Sequence, residues 1–462
     1  MDTPSVWHVF KAAGGATVRA RYEGMAGGKV QLRRDDGKLL QVAPDMLAPE
    51  DRAYVETLSR KTDEEMAKLN GAAGHALFAV VPFESRKAED IASALGLPKE
   101  SDSKYSKSWR LYAAFKREKY ELFGAMPYSV ALYAGEDGNA GNLSVVYANK
   151  GDFGSTAGFG VDHFKGEGGA APATLEAAMQ RDADAVAGKL TAALGEPKQQ
   201  RFGENKSRRT IRRWDWNGQS ILLSCQDGEY VSLAVVDQAF ADAGGKTERV
   251  KGTDLRQRLV SSVAREPNGD VFIRDIPMVN QGPKGYCVPA TFERAMRTMG
   301  IEADMYLLAM VGGTSAGGGT SVEQLLQNVR SQVYAKGRRT KDEPVKTLRI
   351  RDIKRYIDEG VPVMWTLMSV EDYNKTADEN TEKRRNVKDW PAYTRDIASK
   401  AETVSSAGKP DSNHHICMIT GYNEATGELA VSDSWGPQFE RRWVPVKVAN
   451  WASQGNLFLI LP

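Results

Sequence analysis

Residues 276–300 read IPMVNQGPKGYCVPATFERAMRTMG, and this stretch decides how the C-terminal part of the chain folds. A turn rich in Gly and Pro (Gly282, Pro283, Lys284, Gly285) leads into Cys287. Phe292, Ala295, Met296 and Met299 then form an apolar stripe at helical spacing, and Gly300 stops it. Pro289 stands in the first turn, where its fixed φ and missing N–H are tolerated. Cys287 therefore falls at or next to a helix N-terminus. The unpaired N–H groups and the dipole there favour the thiolate, which is the nucleophilic form of cysteine.

A thiolate needs a base, and the base needs a group to orient it. Residues 414–436, HHICMITGYNEATGELAVSDSWG, read as a strand from His414 to Tyr422, a turn from Asn423 to Glu428, and a returning strand from Leu429 to Asp433. On the first strand His415, Cys417 and Ile419 share one face while His414 points the other way. Hairpin pairing is expected to bring Asp433 roughly across from His415, with the register left open. Gln281 precedes Cys287 by six residues, and His415 follows it by 128.

Q-x5-C before a helix, H-x5-G-Y and D-S-W-G together resemble the papain superfamily, whose members carry N-S-W-G at the last position. GGGTSVEQLLQNV (317–329) and IRDIKRYIDEGVPVMWTL (350–367) follow in the order seen in the bacterial bacteriocin-leader-processing peptidases, whose third residue is usually Asp. The resemblance covers about the last 200 residues. It implies Cys287 as nucleophile, His415 as general base and later acid, and Asp433 as the residue orienting His415. Gln281, with the Cys287 N–H, would form the oxyanion hole, and Trp435 would shield the His–Asp pair. A peptide or protein substrate is implied, and no cofactor. Two rivals stay open: acyl transfer to an amine, as in transglutaminase-like enzymes, and a catalytically silent peptide-binding protein of the same fold.

Three neighbouring features carry two readings each. Gly312 to Gly319, with Gly318 and Gly319 nearest the helix, would let a substrate backbone approach, or would simply lead into a helix capped by Thr320 and Glu323. Cys417 reads as small core packing, with a reversible bond to Cys287 as the alternative. The charged insertion between Glu371 and Asn413 reads as a solvated helical excursion ahead of a mobile lid. No metal set is expected, since His414 and His415 face apart and His8, His75 and His163 are distant in sequence.

The whole chain has 462 residues, 41% of them hydrophobic, with 62 basic against 60 acidic side chains, so several cores and no general basic excess are expected. Its three cysteines cannot build a disulfide framework. No apolar run spans a membrane and no leader is read at the start, which fits either a cytoplasmic protein or an exported one whose leader was removed.

We therefore expect a multidomain α+β protein in three parts. Residues 1–70 would be a small SH3-like β-barrel. Its strand and turn pattern resembles an SLA-homology-one domain, with a peptide ligand or an intramolecular contact as candidate partners. Residues 71–250 would be a central α+β domain of two related units, because Ala94-Leu95-Gly96-Leu97-Pro98-Lys99 recurs as Ala193-Leu194-Gly195-Glu196-Pro197-Lys198. Residues 251–462 would be the papain-like peptidase domain, a helix bearing Cys287 packed on an antiparallel sheet bearing His415. The basic run from Lys206 to Arg213, with Trp214 and Trp216, is expected to be a solvated sheet face rather than a nucleic-acid stripe.

Overall fold

The computed structural model describes residues 7–113, 119–153, 174–316 and 318–462; His163 and Gly317 lie outside them. The chain divides into two units, one made of residues 1–99, 106–204 and 208–246, the other of residues 100–105, 205–207 and 247–462. Both mix helices with antiparallel sheet. No helix among the described residues is long and apolar enough to cross a membrane.

In the first unit, β1 (His8–Lys11), β2 (Thr17–Ala26), β3 (Lys29–Arg34) and β4 (Leu39–Val42) pair in chain order. Gly37 supplies the positive φ (81°) that the β3–β4 turn needs, and Asp36 Oδ1 accepts the Lys38 N–H at 3.0 Å. Phe10, Ala20, Tyr22, Val30 and Leu32 bury their side chains against Leu47, Val55 and Leu58. Met46 O accepts the Ala13 N–H and Lys11 O the Ala48 N–H, both at 2.8 Å, so the segment after β4 returns to β1.

Helix α1 runs from Pro49 to Ala73. Leu69 and Ala73 continue its buried face, and Gly74, left-handed at φ 75°, ends it.

Next come α2 (Ala88–Leu95), β5 (Lys99–Asp102), β6 (Lys107–Tyr112), β7 (Ser129–Ala134) and β8 (Ala140–Asn149). They are followed by α3 (Leu175–Leu194), β9 (Lys198–Phe202), β10 (Arg209–Trp216), β11 (Gln219–Gln226) and β12 (Tyr230–Asp237). The strands lie in the order β6-β7-β8-β12-β11-β10-β9, so β8 and β12 meet where two runs of the same element order join.

The basic run on β10 is not a plain solvated face. Trp214 and Trp216 are buried, donating to Gly195 O and Glu65 Oε2 at 2.8 Å each. Arg213 is buried too, held at 2.5 Å by both Asp215 and Asp242. A charge inside a sheet face is tolerated when its counter-charges arrive with it.

The second unit carries α4 (Gly252–Ser261), β13 (Val263–Arg265), β14 (Asp270–Ile273), α5 (Cys287–Thr298), α6 (Met305–Val311), α7 (Val322–Ala335), β15 (Arg339–Pro344), α8 (Ile350–Ile357) and β16 (Val363–Met368). The insertion follows as α9 (Glu371–Arg384) and α10 (Trp390–Ser405). Then come β17 (His414–Asn423), β18 (Glu428–Ser432), β19 (Arg442–Pro445), α11 (Val446–Ala452) and β20 (Ser453–Leu461). The sheet runs β13-β14-β17-β16-β20-β15, with β18 and β19 branching from β17.

Its core joins Phe292 and Met296 of α5 and Leu325 and Val329 of α7 to Val363, Trp365 and Leu367 of β16 and Cys417 and Ile419 of β17. The glycine of H-x5-G-Y has a packing reason. A Cβ on Gly421 would stand 2.5 Å from Val271 O, so only glycine lets β14 approach β17 there.

Candidate active site

Cys287 opens α5, with Tyr286 as its N-cap, and is half-buried. One turn on, Thr291 Oγ1 donates to Ile416 O and meets Ser434 Oγ, both at 3.3 Å, which ties the helix to β17 and to the loop after β18. That tie sets the thiol against His415, the second residue of β17, which pairs with Leu367 of β16.

His415 is buried, and its Nε2 bonds Asp433 Oδ1 at 3.1 Å, which leaves Nδ1 as the ring nitrogen for the Cys287 thiol. His414 is exposed on the opposite side of the strand.

Asp433 comes roughly across from His415, just past the last pair of the hairpin rather than directly opposite. Ser432, the last residue of β18, pairs with Met418, and a bulge between Ile419 and Gly421 shifts the register. The carboxylate reaches His415 diagonally from beyond the strand end, where the Asp433 N–H donates to Phe439 O at 3.0 Å. Trp435, two residues on, stacks on the imidazole.

The electrostatics favour a charged pair. Burial pushes the Cys287 thiol up, but the hydrogen bond and charge of His415, with the N–H groups of Ile416 and Val288, outweigh it and hold the thiol below its ordinary value. Burial acts to lower His415. The hydrogen bonds to Asp433 and Cys287 prevail and raise it to about 9. Asp433 is fully buried, which alone would raise its pKa, yet His415 and Arg442 hold it below the usual carboxylate value.

Gln281 lies in this network by its backbone, which donates to Ser434 O at 2.8 Å. Its Nε2 donates to Lys284 O at 3.0 Å, committing one of its two amide N–H groups. Its Oε1 is buried with no hydrogen-bond partner among the described residues.

Gly318 and Gly319 come beside the turn before Cys287. A Cβ on Gly285 would stand 2.9 Å from Gly318 O and 3.8 Å from the Gly319 Cα. Cys417 is fully buried and pushed well above its ordinary value by burial, so it stays a neutral thiol. No group of three His, Cys, Asp or Glu among the described residues could hold a metal ion.

Two groups were not anticipated. Arg294 of α5 is fully buried and donates to Pro277 O at 3.0 Å, Ser432 O at 3.2 Å and Ser432 Oγ at 2.5 Å, fixing the residue next to Asp433. Arg442, buried at the start of β19, donates to Asp433 Oδ2 from Nε at 3.1 Å and from Nη2 at 2.7 Å.

The only sequence signal for Arg442 is an arginine heading the otherwise apolar strand Arg442-Trp443-Val444-Pro445, which demands a buried counter-charge. The insertion also differs from the solvated excursion expected. Tyr373, Ala377 and Asn380 of α9 are buried, and Thr381 Oγ1 accepts the Trp443 N–H at 2.8 Å.

Among the curated proteins none matches this chain. Among solved structures, the peptidase domain of Streptococcus ComA, a bifunctional ABC transporter involved in a quorum-sensing pathway, is similar at 12% identity and a TM-score of 0.26. That match covers 40% of this chain and 97% of the ComA domain. Residues 273–457, which hold Cys287, His415, Asp433 and Arg442, match the model of the Peptidase_C39 like family, a likeness that supports a cysteine peptidase of papain-like type in this region.

Proposed function

We propose that this protein hydrolyses peptide bonds through a Cys287 thioester. The observation that carries the reading is the unbroken chain from the Cys287 thiol through His415 to Asp433. The Cys287 thiolate attacks the scissile carbonyl. The resulting oxyanion is met by the Cys287 N–H and by the second amide N–H of Gln281. Imidazolium His415 gives its proton to the leaving amine, and the thioester remains. His415, now neutral, takes a proton from water as the water attacks the thioester, and regenerates the pair on release of the acid. Asp433 holds the imidazole in place, Trp435 covers it, and Gly318 and Gly319 offer open main chain to the substrate.

The three-part division at residues 70 and 250 belongs to the same reading. The return of the segment after β4 to β1 supports an SH3-like barrel of the SLA-homology-one kind with a peptide as its ligand. The matched element order on either side of β8 and β12 supports a duplication.

The test is cleavage of a peptide library by the full chain, by Cys287→Ser and by His415→Ala, with product masses read with and without hydroxylamine. Hydrolysis lost in both variants is expected. A hydroxamate formed in place of a free acid even in dilute amine would favour acyl transfer. No cleavage and no adduct with any peptide would leave the silent binding protein.

A further inference from the structure

We infer that Arg442, clamped by helix α9 of the insertion, is a positioning residue of the Cys287 site that keeps the Asp433 carboxylate fixed and ionised behind His415. The inference deepens the peptidase reading and rests on it.

Asp433 is 0% exposed, and an isolated carboxylate so buried takes up a proton rather than stay charged. Its two oxygens divide the work. Oδ1 holds His415 Nε2, and Oδ2 receives two N–H groups from Arg442. Arg442 is itself buried, so its remaining donors need partners. Nη1 donates to Asp378 Oδ1 at 3.0 Å and Nη2 to Asn374 Oδ1 at 3.1 Å.

Asn374 and Asp378 lie four residues apart on one face of α9. The Asn374 amide cannot turn round, because its Nδ2 already donates to Ser369 O and Val370 O at 3.1 and 3.2 Å. The guanidinium also lies 5.3 Å from the Trp435 ring and 5.4 Å from that of Phe439.

Other groups near the carboxylate do not replace it. Arg294 of α5 feels Asp433 and Glu440 but directs its hydrogen bonds to Pro277 and Ser432. Cys417 of β17 and Tyr373 of α9 also face Asp433, and burial raises both, so they are neutral. Signs therefore alternate from the half-exposed Asp378 through Arg442, Asp433 and His415 to Cys287, and the insertion supplies the outermost link.

The test reads Cys287 alkylation by iodoacetamide against pH in the full chain, resolved by peptide mapping. Arg442→Met should leave Asp433 protonated over more of the acid range, weaken the hold on imidazolium, and move the Cys287 midpoint up by about one pH unit, roughly tenfold slower alkylation below it. Arg442→Lys, which keeps the charge but loses the fork, should recover part of that shift. Asp378→Asn, at the exposed end, should shift it in the same direction by less. It carries the test if Arg442→Met does not fold by circular dichroism.

An unchanged midpoint in a folded Arg442→Met, or in Asp378→Asn where only that variant folds, overturns the inference. If wild-type Cys287 shows no reactivity below the ordinary thiol range, or His415→Ala leaves its profile unchanged, the peptidase reading fails instead.

Discussion

Trp435 lies nearly parallel to the imidazole of His415, with ring centroids 4.7 Å apart and planes inclined by 28°. The indole is half-exposed, so its outer side meets solvent while its inner side faces the imidazole that bonds Asp433. Excluding water from that bond lowers the local dielectric and strengthens the hold on imidazolium. Trp435→Ala should fold and lower kcat/KM about 10- to 100-fold, with the acid limb of the pH profile moved up. Trp435→Phe should keep most of the activity. Equal kcat/KM in wild type and Trp435→Ala would leave the indole with no covering role.

The raised imidazole and lowered thiol separate two pH responses. Acidification through the Cys287 value removes the thiolate, so alkylation and hydrolysis should both fall there. Alkalinisation through about 9 takes the proton from His415. The thiolate persists above that point, so alkylation should stay fast while peptide hydrolysis declines for want of an acid at the leaving amine. Parallel decline of both above pH 9 would contradict this assignment of the upper limb.

Much of this site is legible in the sequence, because its parts are local motifs. Gly and Pro before Cys287 and Gly300 after the apolar stripe define α5, and the alternation around His415 separates it from His414. The link between motifs is less legible. A one-residue bulge between Ile419 and Gly421 draws Asp433 one position nearer to His415 and onto its face of the hairpin, and no composition rule announces a bulge. Arg442 and Asn374 are still harder to foresee. Asn374 looks like an ordinary surface residue, and Arg442 signals only a need for some buried counter-charge, until α9 folds over β19, a contact made by residues 68 apart in the chain. The same holds for Arg213, whose counter-charge Asp242 comes from 29 residues away.

Arg294 shows how the helix bearing Cys287 is fastened to the end of β18. Burial pulls its guanidinium down to about 10, yet it still donates to Pro277 O, Ser432 O and Ser432 Oγ. Arg294→Met fills similar space but leaves three buried acceptors short of a donor. It should cost at least about 3 kcal/mol, read as a lower midpoint in urea unfolding at unchanged slope. Because Ser432 precedes Asp433, residual activity per folded molecule should fall as well. A loss of stability below about 1 kcal/mol would mean that water serves these acceptors equally well.

Gly285 and Gly319 allow packing and substrate access to be told apart. A Cβ on Gly285 would meet Gly318 O at 2.9 Å and Gly318 C at 3.4 Å, both main-chain atoms that cannot swing aside like a side chain. Gly285→Ala should therefore push the Gly318 strand of main chain away from the turn that presents Cys287. Gly285 is itself exposed, so global stability should change by less than about 1 kcal/mol while kcat drops. A Cβ on Gly319 meets nothing within 4 Å, so Gly319→Ala leaves the free protein as it is. If substrate main chain runs along Gly319, the added methyl group obstructs it and KM rises several-fold with Tm unchanged. If KM stays the same, the stretch merely leads into α7, where Ser321 Oγ already caps the helix by accepting the Gln324 N–H at 3.2 Å.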